Sequence, residues 1–381
     1  MERLLAALDR LGLDVAGTAV LAGDASQRRF FRVTLADGAT VVAALYPVGS
    51  EDAAARDHAV QRWGAERALP IPAPLGCLDG VTVSADLGEE QLEAVLRDDP
   101  AVALAGALDA LARFQGCGFD TLPTPPFDAA FFRGELAVFE AQAEPVAGPP
   151  GGADFLDRLA ARLARHPQRL VHRDFHVNNL MRHAGRVWAV DFQDMRGGPD
   201  TYDLVSLLRE RAAAAAPIDE GRWCAAAAER LAWPAGWEER YLECAAQRGL
   251  KVLGTFLRLG AAGRPGYRAW IPAVAVKTAE ALAAIGAPAT LRESVGRLRE
   301  AAGPDPGPGP VAASSSSSGP ASCRSSARGS ARGSRTSATR SRARSVRRTN
   351  PPTSADARSA TLPGRPRRGH ASATRQSMKR P

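Results

Sequence analysis

Two carboxylates and one carboxamide, placed within a single short segment, have the spacing that phosphoryl transfer requires. The run LVHRDFHVNNLMRHAGRVWAVDFQDMRGGPDTYDLVSLL at residues 170–208 holds His172-Arg173-Asp174, with Asn179 five residues further on. Asp191 then ends the apolar strand pattern Arg186-Val187-Trp188-Ala189-Val190. Transfer of the terminal phosphoryl group of ATP to an alcohol needs one carboxylate where the acceptor hydroxyl arrives. It also needs oxygen ligands that hold Mg²⁺ against the triphosphate. Asp174 is the candidate base, and Asn179 and Asp191 are the candidate metal ligands. His172 suits bracing of the loop better than titration. Asp203, which opens a helix pattern at Thr201-Tyr202-Asp203-Leu204, reads either as an N-cap or as a buried brace. A lone H-x-D or a lone D-x-x-x-x-N says little, and their combination with a following strand and aspartate carries the signal.

Such a site needs a scaffold that brings a loop and a strand end together. An opening amphipathic helix is followed by Phe30-Phe31-Arg32-Val33-Thr34-Leu35 and Thr40-Val41-Val42-Ala43-Ala44-Leu45 around Asp37-Gly38, a hairpin pattern. A helix is predicted over 52–67. Pro70, Pro72 and Pro74 then impose an extended segment, Val81-Thr82-Val83 is a further strand, and Asp86-Leu87-Gly88 interrupts it. Helices are predicted over 89–115 and 129–142, and another ends near His166. In the first of these Leu104, Leu108, Leu111 and Phe114 recur at helical spacing. Five more helices are predicted over 206–215, 221–231, 237–259, 271–285 and 291–301. The expected fold is α+β and bilobal, with a small sheet lobe (1–86) and a larger, mostly helical lobe (87–303).

The overall charge of +8 misleads, because it is unevenly distributed. Residues 304–381 carry 16 Lys and Arg against Asp305 and Asp356, which leaves the preceding residues at a net −6. This Ser-, Arg-, Pro- and Gly-rich tail cannot bury enough apolar surface to fold and is expected to be disordered. It shows little of the aromatic or Gly-Arg regularity of nucleic-acid-binding arms. Nucleic acid is therefore not an expected partner, except non-specifically through the tail; a solvated extension or a shifted reading frame are the plainer readings. The five cysteines form no C-x-x-C pair, which suits a reducing cytoplasm. No signal-peptide pattern and no run of about 18 apolar residues occurs, so no membrane association is expected.

The order of these motifs is similar to that of protein kinases, H-R-D-x-x-x-x-N then D-F-G, although Asp191-Phe192-Gln193 departs from it at the third position. Over residues 20–300 the chain resembles the aminoglycoside phosphotransferase/choline kinase superfamily, which has a protein-kinase-like fold. Val171-His172-Arg173-Asp174-Phe175, Asn178-Asn179-Leu180-Met181, Asp191-Phe192-Gln193-Asp194, Gly198-Pro199 and Thr201-Tyr202-Asp203-Leu204 are similar to its sugar-kinase branch. So are Gly23-Asp24-Ala25-Ser26 with Arg28-Arg29-Phe30-Phe31-Arg32, Asp86-Leu87-Gly88, and Leu250-Lys251-Val252-Leu253-Gly254-Thr255-Phe256 with Arg258. The resemblance implies an ATP- and Mg²⁺-dependent kinase for a small-molecule sugar. Within that branch the anomeric phosphorylation of N-acetylmuramate and N-acetylglucosamine in cell-wall recycling is the nearest activity.

One departure bears on the nucleotide. Protein kinases carry a lysine on the third strand for the α/β-phosphates, whereas Val41-Val42-Ala43-Ala44-Leu45 has none. Phosphate charge then falls to Mg²⁺, to the segment around Ser26, and to Arg28 or Arg29, so Ser26 and Arg28 are the candidate nucleotide contacts. On the late helix Arg248, Lys251 and Arg258 share a face, which is either a solvated stripe or a contact for an acidic sugar. Two other readings stay open on sequence alone: a kinase for an aminoglycoside, choline or homoserine, and a non-catalytic nucleotide-binding relative.

Overall fold

A computed structural model describes residues 1–21 and 27–302. Ser26 and the tail from 304 lie outside the described residues. The N-terminal part contains α1 (Glu2–Arg10), β1 (Val15–Leu21), β2 (Arg29–Leu35), β3 (Thr40–Leu45), α2 (Glu51–Glu66), β4 (Pro74–Leu78) and β5 (Val81–Ala85). The strands form one antiparallel sheet in the order β1-β2-β3-β5-β4. The predicted hairpin is β2–β3: Gly38 takes φ +86°, which a side chain would resist, and the Asp37 carboxylate accepts from Ala39 N at 2.9 Å.

Alternation along the strands sets the two faces of this sheet. Phe31, Val33, Val41, Ala43, Val81 and Val83 point to one side and enclose Leu4, Ala7 and Leu8 of α1. Each fully buried leucine contributes about 2 kcal/mol, which holds a nine-residue helix too short to persist alone. On the opposite face Ala44 and Tyr46 pack with Phe30 against Ala54 of α2. Further along, α2 buries Val60 and Trp63 in the larger core, so one helix belongs to both hydrophobic clusters.

The rest of the described chain is mostly helical. It comprises α3 (Leu92–Asp98), α4 (Pro100–Gln115), α5 (Ala129–Ala147), α6 (Ala153–Leu163), α7 (Tyr202–Arg209), α8 (Arg211–Ala215), α9 (Glu220–Arg230), α10 (Trp237–Ala261), α11 (Ile271–Ala284) and α12 (Ala289–Ala302). Between α6 and α7 run β6 (Gln168–Val171), β7 (Leu180–His183), β8 (Arg186–Ala189) and β9 (Arg196–Pro199). They pair as two antiparallel ladders, β6 with β9 and β7 with β8. The fold is thus α+β, with an N-terminal antiparallel sheet and a helical C-terminal region. No helix among the described residues is long and apolar enough to cross a membrane.

Two of the predicted helices are broken. The helix expected over 89–115 divides at Pro100, where the Asp99 carboxylate accepts from Ala101 N and Val102 N, each at 3.1 Å, and starts α4 afresh. The helix expected over 206–215 divides at Glu210, which adopts an extended conformation and bonds through its carboxylate to Arg248 Nε at 2.6 Å. Gly254 explains how α10 reaches the site: a Cβ there would lie 2.7 Å from Phe139 Cα, so α10 and α5 approach almost backbone to backbone. The strand β1, with its single irregularity of register, was not foreseen in the sequence.

The junction after β5 is fixed by one arginine. Arg32 Nε donates to Asp86 Oδ2 at 2.6 Å, and Arg32 Nη2 to Asp86 Oδ1 at 3.3 Å and to Gly88 O at 2.9 Å. Burial would raise the Asp86 carboxyl, but Arg32 and the Gly88 amide outweigh it and hold it below its usual 3.8. A depressed carboxyl stabilises the fold fully above 3.8 and loses that contribution as pH falls through the lower folded value. Asp86→Asn should therefore cost about 2 kcal/mol at pH 7, with the two proteins converging in strong acid. Urea midpoints measured across that range check it, and equal midpoints at pH 7 contradict it.

Candidate active site

The segment 172–179 is held by its backbone. The Asp203 carboxylate, buried at the start of α7, accepts from His172 N at 2.6 Å and from Arg173 N at 3.0 Å. Thr201 is the residue before the first turn of α7, so Asp203 serves the loop and does not cap its own helix. Burial pushes its carboxyl up to about 7, against the pull of the two amides and Arg248. Arg173 sits at φ +80°, which costs a side-chain-bearing residue about 1–2 kcal/mol. The two amide bonds that Asp203 accepts, at about 1 kcal/mol each even with a neutral carboxyl, offset that cost. The Arg173 carbonyl also accepts from Arg248 Nη1 at 2.5 Å.

Arg248 is fully buried. Its remaining donors reach Glu210 Oε1 and Ser206 Oγ at 2.6 and 3.0 Å, and its guanidinium lies 4.3 Å from the Tyr202 ring centroid. It is therefore a structural clamp from α10 to the loop. His172 is buried edge-on between Phe114 and Phe175, and burial lowers its pKa, so it braces the loop as a neutral ring.

With the backbone fixed, Asp174 presents a side chain that is 31% exposed. Lys251 Nζ of α10 lies 3.1 Å from Asp174 Oδ1, and Arg248 Nη2 lies 3.7 Å from the same atom. Burial would raise the Asp174 carboxyl, but Lys251, Arg248 and Arg173 outweigh it and hold it well below the usual carboxylate range. Asn179 Nδ2 donates to the Asp174 carbonyl at 3.0 Å, which ties the amide to the loop and makes Oδ1 its candidate ligand atom. The β7–β8 ladder continues past Leu180 and Ala189: Val190 N donates to Asn179 O at 2.9 Å, placing Asn179 beside the residue before Asp191.

Asp191 adopts φ +63° at the end of β8, and its side chain is 41% exposed. It accepts from Gln193 Nε2 at 3.0 Å and from Arg28 Nη2 at 2.7 Å. Asp174, Asn179, Asp191 and Arg28 are thus brought into one region by the loop, the hairpin and the start of β2 in the N-terminal sheet. Among the described residues no group of three or more His, Cys, Asp or Glu has metal-ligating geometry. One carboxylate and one amide carbonyl are hard oxygen donors that fit a divalent cation completed by phosphate oxygens.

Two acids that bear on the site, Glu135 and Asp57, had no local sequence signal. Glu135, on α5, lies 3.2 Å from Arg173 Nη2 and 3.9 Å from Lys251 Nζ, and accepts from Gln247 Nε2 at 2.8 Å. The basic stripe expected on α10 divides into three fates: Arg248 is buried, Lys251 meets Asp174, and Arg258 is exposed. Asp57 of α2 pairs with Arg28 at 3.2 Å.

This arrangement, a held loop carboxylate with an amide and a second carboxylate on the next hairpin, defines a phosphotransferase that uses an alcohol as acceptor. Residues 18–243 match the family described as APH, phosphotransferase enzyme family, and the chain belongs to that family. It is 30% identical over 275 residues to an N-acetylmuramate/N-acetylglucosamine kinase of Pseudomonas putida, covering 65% of this chain and 78% of that protein. A kinase of the same name from Neisseria meningitidis serogroup B is 32% identical over 276 residues, covering 66% and 81% respectively. The fold is similar to that of the macrolide 2'-phosphotransferase of Brachybacterium faecium, with a TM-score of 0.51, 14% identity, and coverage of 73% of this chain and 97% of that one.

The pairing of Lys251 with Asp174 can be tested without reference to catalysis. Replacing Lys251 with methionine removes the foremost cation holding Asp174 in its charged form, so the Asp174 carboxyl should titrate at higher pH than in the parent protein. The ¹³C carboxyl shift of Asp174 followed through a pH titration checks this; an unmoved midpoint contradicts it.

Proposed function

We propose that the chain transfers the γ-phosphoryl group of ATP to the anomeric C1 hydroxyl of an amino sugar, N-acetylmuramate or N-acetylglucosamine. The observation that carries this reading is the Asp174 carboxylate, held ionised beside Lys251 at 3.1 Å, with the Asn179 amide donating to the Asp174 backbone carbonyl. The choice of acceptor rests on the two named kinases to which the chain is 30% and 32% identical.

In this reading Asp174 accepts the proton of the acceptor hydroxyl as its oxygen attacks the γ-phosphorus, and the bond to the β-phosphate oxygen breaks. Asn179 Oδ1 and the Asp191 carboxylate would hold Mg²⁺, which supplies charge neutralisation to the triphosphate when bound. Arg28, with the segment at Ser26, contacts the phosphates in place of a lysine on β3. Residues 1–86 act as the nucleotide lobe and 87–303 as the catalytic and acceptor lobe. The protein works in the cytoplasm, consistent with the free thiols of Cys77, Cys117, Cys224 and Cys244.

Asp174→Asn should lower kcat by about 10²–10⁴-fold, the usual contribution of a positioned general base, while nucleotide affinity stays within a few-fold. The same assay, run on the parent protein with N-acetylmuramate, N-acetylglucosamine, an aminoglycoside, choline and homoserine, identifies the acceptor. Product NMR should show a C1 phosphate on the amino sugars. Parent-level turnover by the variant contradicts the role of Asp174, and a phosphate on another acceptor or hydroxyl contradicts the anomeric assignment.

A further inference from the structure

The strand that carries a lysine in protein kinases is closed off here. On the face of the sheet turned toward α2, β3 presents Val42 and Ala44, with Tyr46 just beyond its end. Ala44 packs with Ala54 of α2 and with Phe30 in a small apolar cluster, so small side chains let the helix settle close onto the strand. Asp57 follows Ala54 by three residues, which places it on the same face of α2. Arg29 pairs with Leu45 at the end of the β2–β3 ladder, so Arg28 and Tyr46 emerge side by side one step past it.

All three side chains meet there. Arg28 Nη1 donates to Asp57 Oδ2 at 3.2 Å, and Tyr46 Oη donates to the same oxygen at 2.5 Å. The guanidinium lies 5.4 Å from the Phe30 ring centroid and 5.8 Å from that of Tyr46, which fix its plane from the sheet side. Its other terminal nitrogen, Nη2, reaches Asp191 Oδ1 at 2.7 Å. One arginine therefore joins a helix acid to the carboxylate that ends β8. A planar fork with five donors can span two carboxylates where a single ammonium is a point contact.

We infer that Asp57, assisted by Tyr46, is a positioning residue that holds Arg28 at the nucleotide phosphates, so that this trio does the work of the lysine and helix-acid pair of protein kinases. The inference rests on the kinase reading above. Within it, phosphate would take the Arg28 Nη2 donor that now meets Asp191, a residue that would hold the metal, while the Arg28–Asp57 bond persists. Asp57 touches no reacting atom and acts only through Arg28. The reach of α2 into the larger core through Val60 and Trp63 gives the arginine a fixed anchor on the catalytic side.

A double-mutant cycle on the full chain tests this. Mg-ATP binding is measured by calorimetry, and KM for Mg-ATP and for the sugar by steady-state kinetics, for Arg28→Met, Asp57→Asn and the double variant. Arg28→Lys and Asp57→Glu serve as conservative controls, and thermal melts show whether each variant is folded. Arg28→Met should weaken Mg-ATP binding by about tenfold or more, the effect of losing one charged phosphate contact. Asp57→Asn should weaken it by several-fold, leave the sugar KM unchanged, and add nothing in the Arg28→Met background; Asp57→Glu should recover part of the loss. Losses that multiply in the double variant, or an Asp57→Asn effect on the sugar KM alone, would overturn the inference while leaving the kinase reading intact. A parent protein that binds no Mg-ATP would overturn both.

Discussion

Everything proposed for this site depends on a grip on backbone, not on side chains. The Asp203 carboxylate holds the amides of His172 and Arg173, and Arg248 holds the carbonyl of Arg173 from the other side. A left-handed φ at a bulky residue is unfavourable alone, and the surrounding charge-assisted bonds make it the conformation of lowest energy. The consequence is positional. Asp174 follows directly, so its carboxylate is aimed by the peptide geometry before any ligand arrives. The buried Arg248 also joins this backbone to Glu210, which explains why the chain leaves helical geometry between α7 and α8.

The electrostatic setting of Asp174 comes from a helix far along the chain. α10 delivers both Lys251 and Arg248, and Gly254 lets that helix press against α5, which brings Glu135 to the same region. Lys251 therefore lies between two carboxylates, Asp174 and Glu135, and Arg173 has Glu135 and Asp194 as its own acids. Each of these cations is thus shared between two acids, which fixes the direction of its donors.

The layout of the candidate site was legible in the sequence, because loop, hairpin and strand end are contiguous within residues 170–208 and local pattern is enough to relate them. The β2–β3 hairpin was legible for the same reason, through Asp37-Gly38. What escaped was long-range or conditional. Pro100 divides a helix that hydrophobic spacing alone would continue, since spacing records which faces are apolar and not where the backbone restarts. Glu210 breaks another because its carboxylate is needed by an arginine 38 residues later. The basic stripe on α10 is uniform in charge, yet its members face a buried acid, the loop carboxylate and solvent respectively; basic residues at helical spacing carry no record of their partners. The acid Asp57 was invisible for a similar reason. It became meaningful only when β2 and α2 were seen to place Arg28 between it and Asp191.

The central claim is that Asn179 and Asp191 share one divalent ion with the nucleotide while Asp174 faces the acceptor. Anomalous diffraction from crystals grown with Mn²⁺, a non-hydrolysable ATP analogue and N-acetylglucosamine addresses it directly. The account predicts a single strong peak about 2.1–2.3 Å from Asn179 Oδ1 and an Asp191 carboxylate oxygen, with the C1 hydroxyl about 3 Å from Asp174. An ion bound away from both side chains, or a sugar hydroxyl out of reach of Asp174 with the analogue in place, would contradict it.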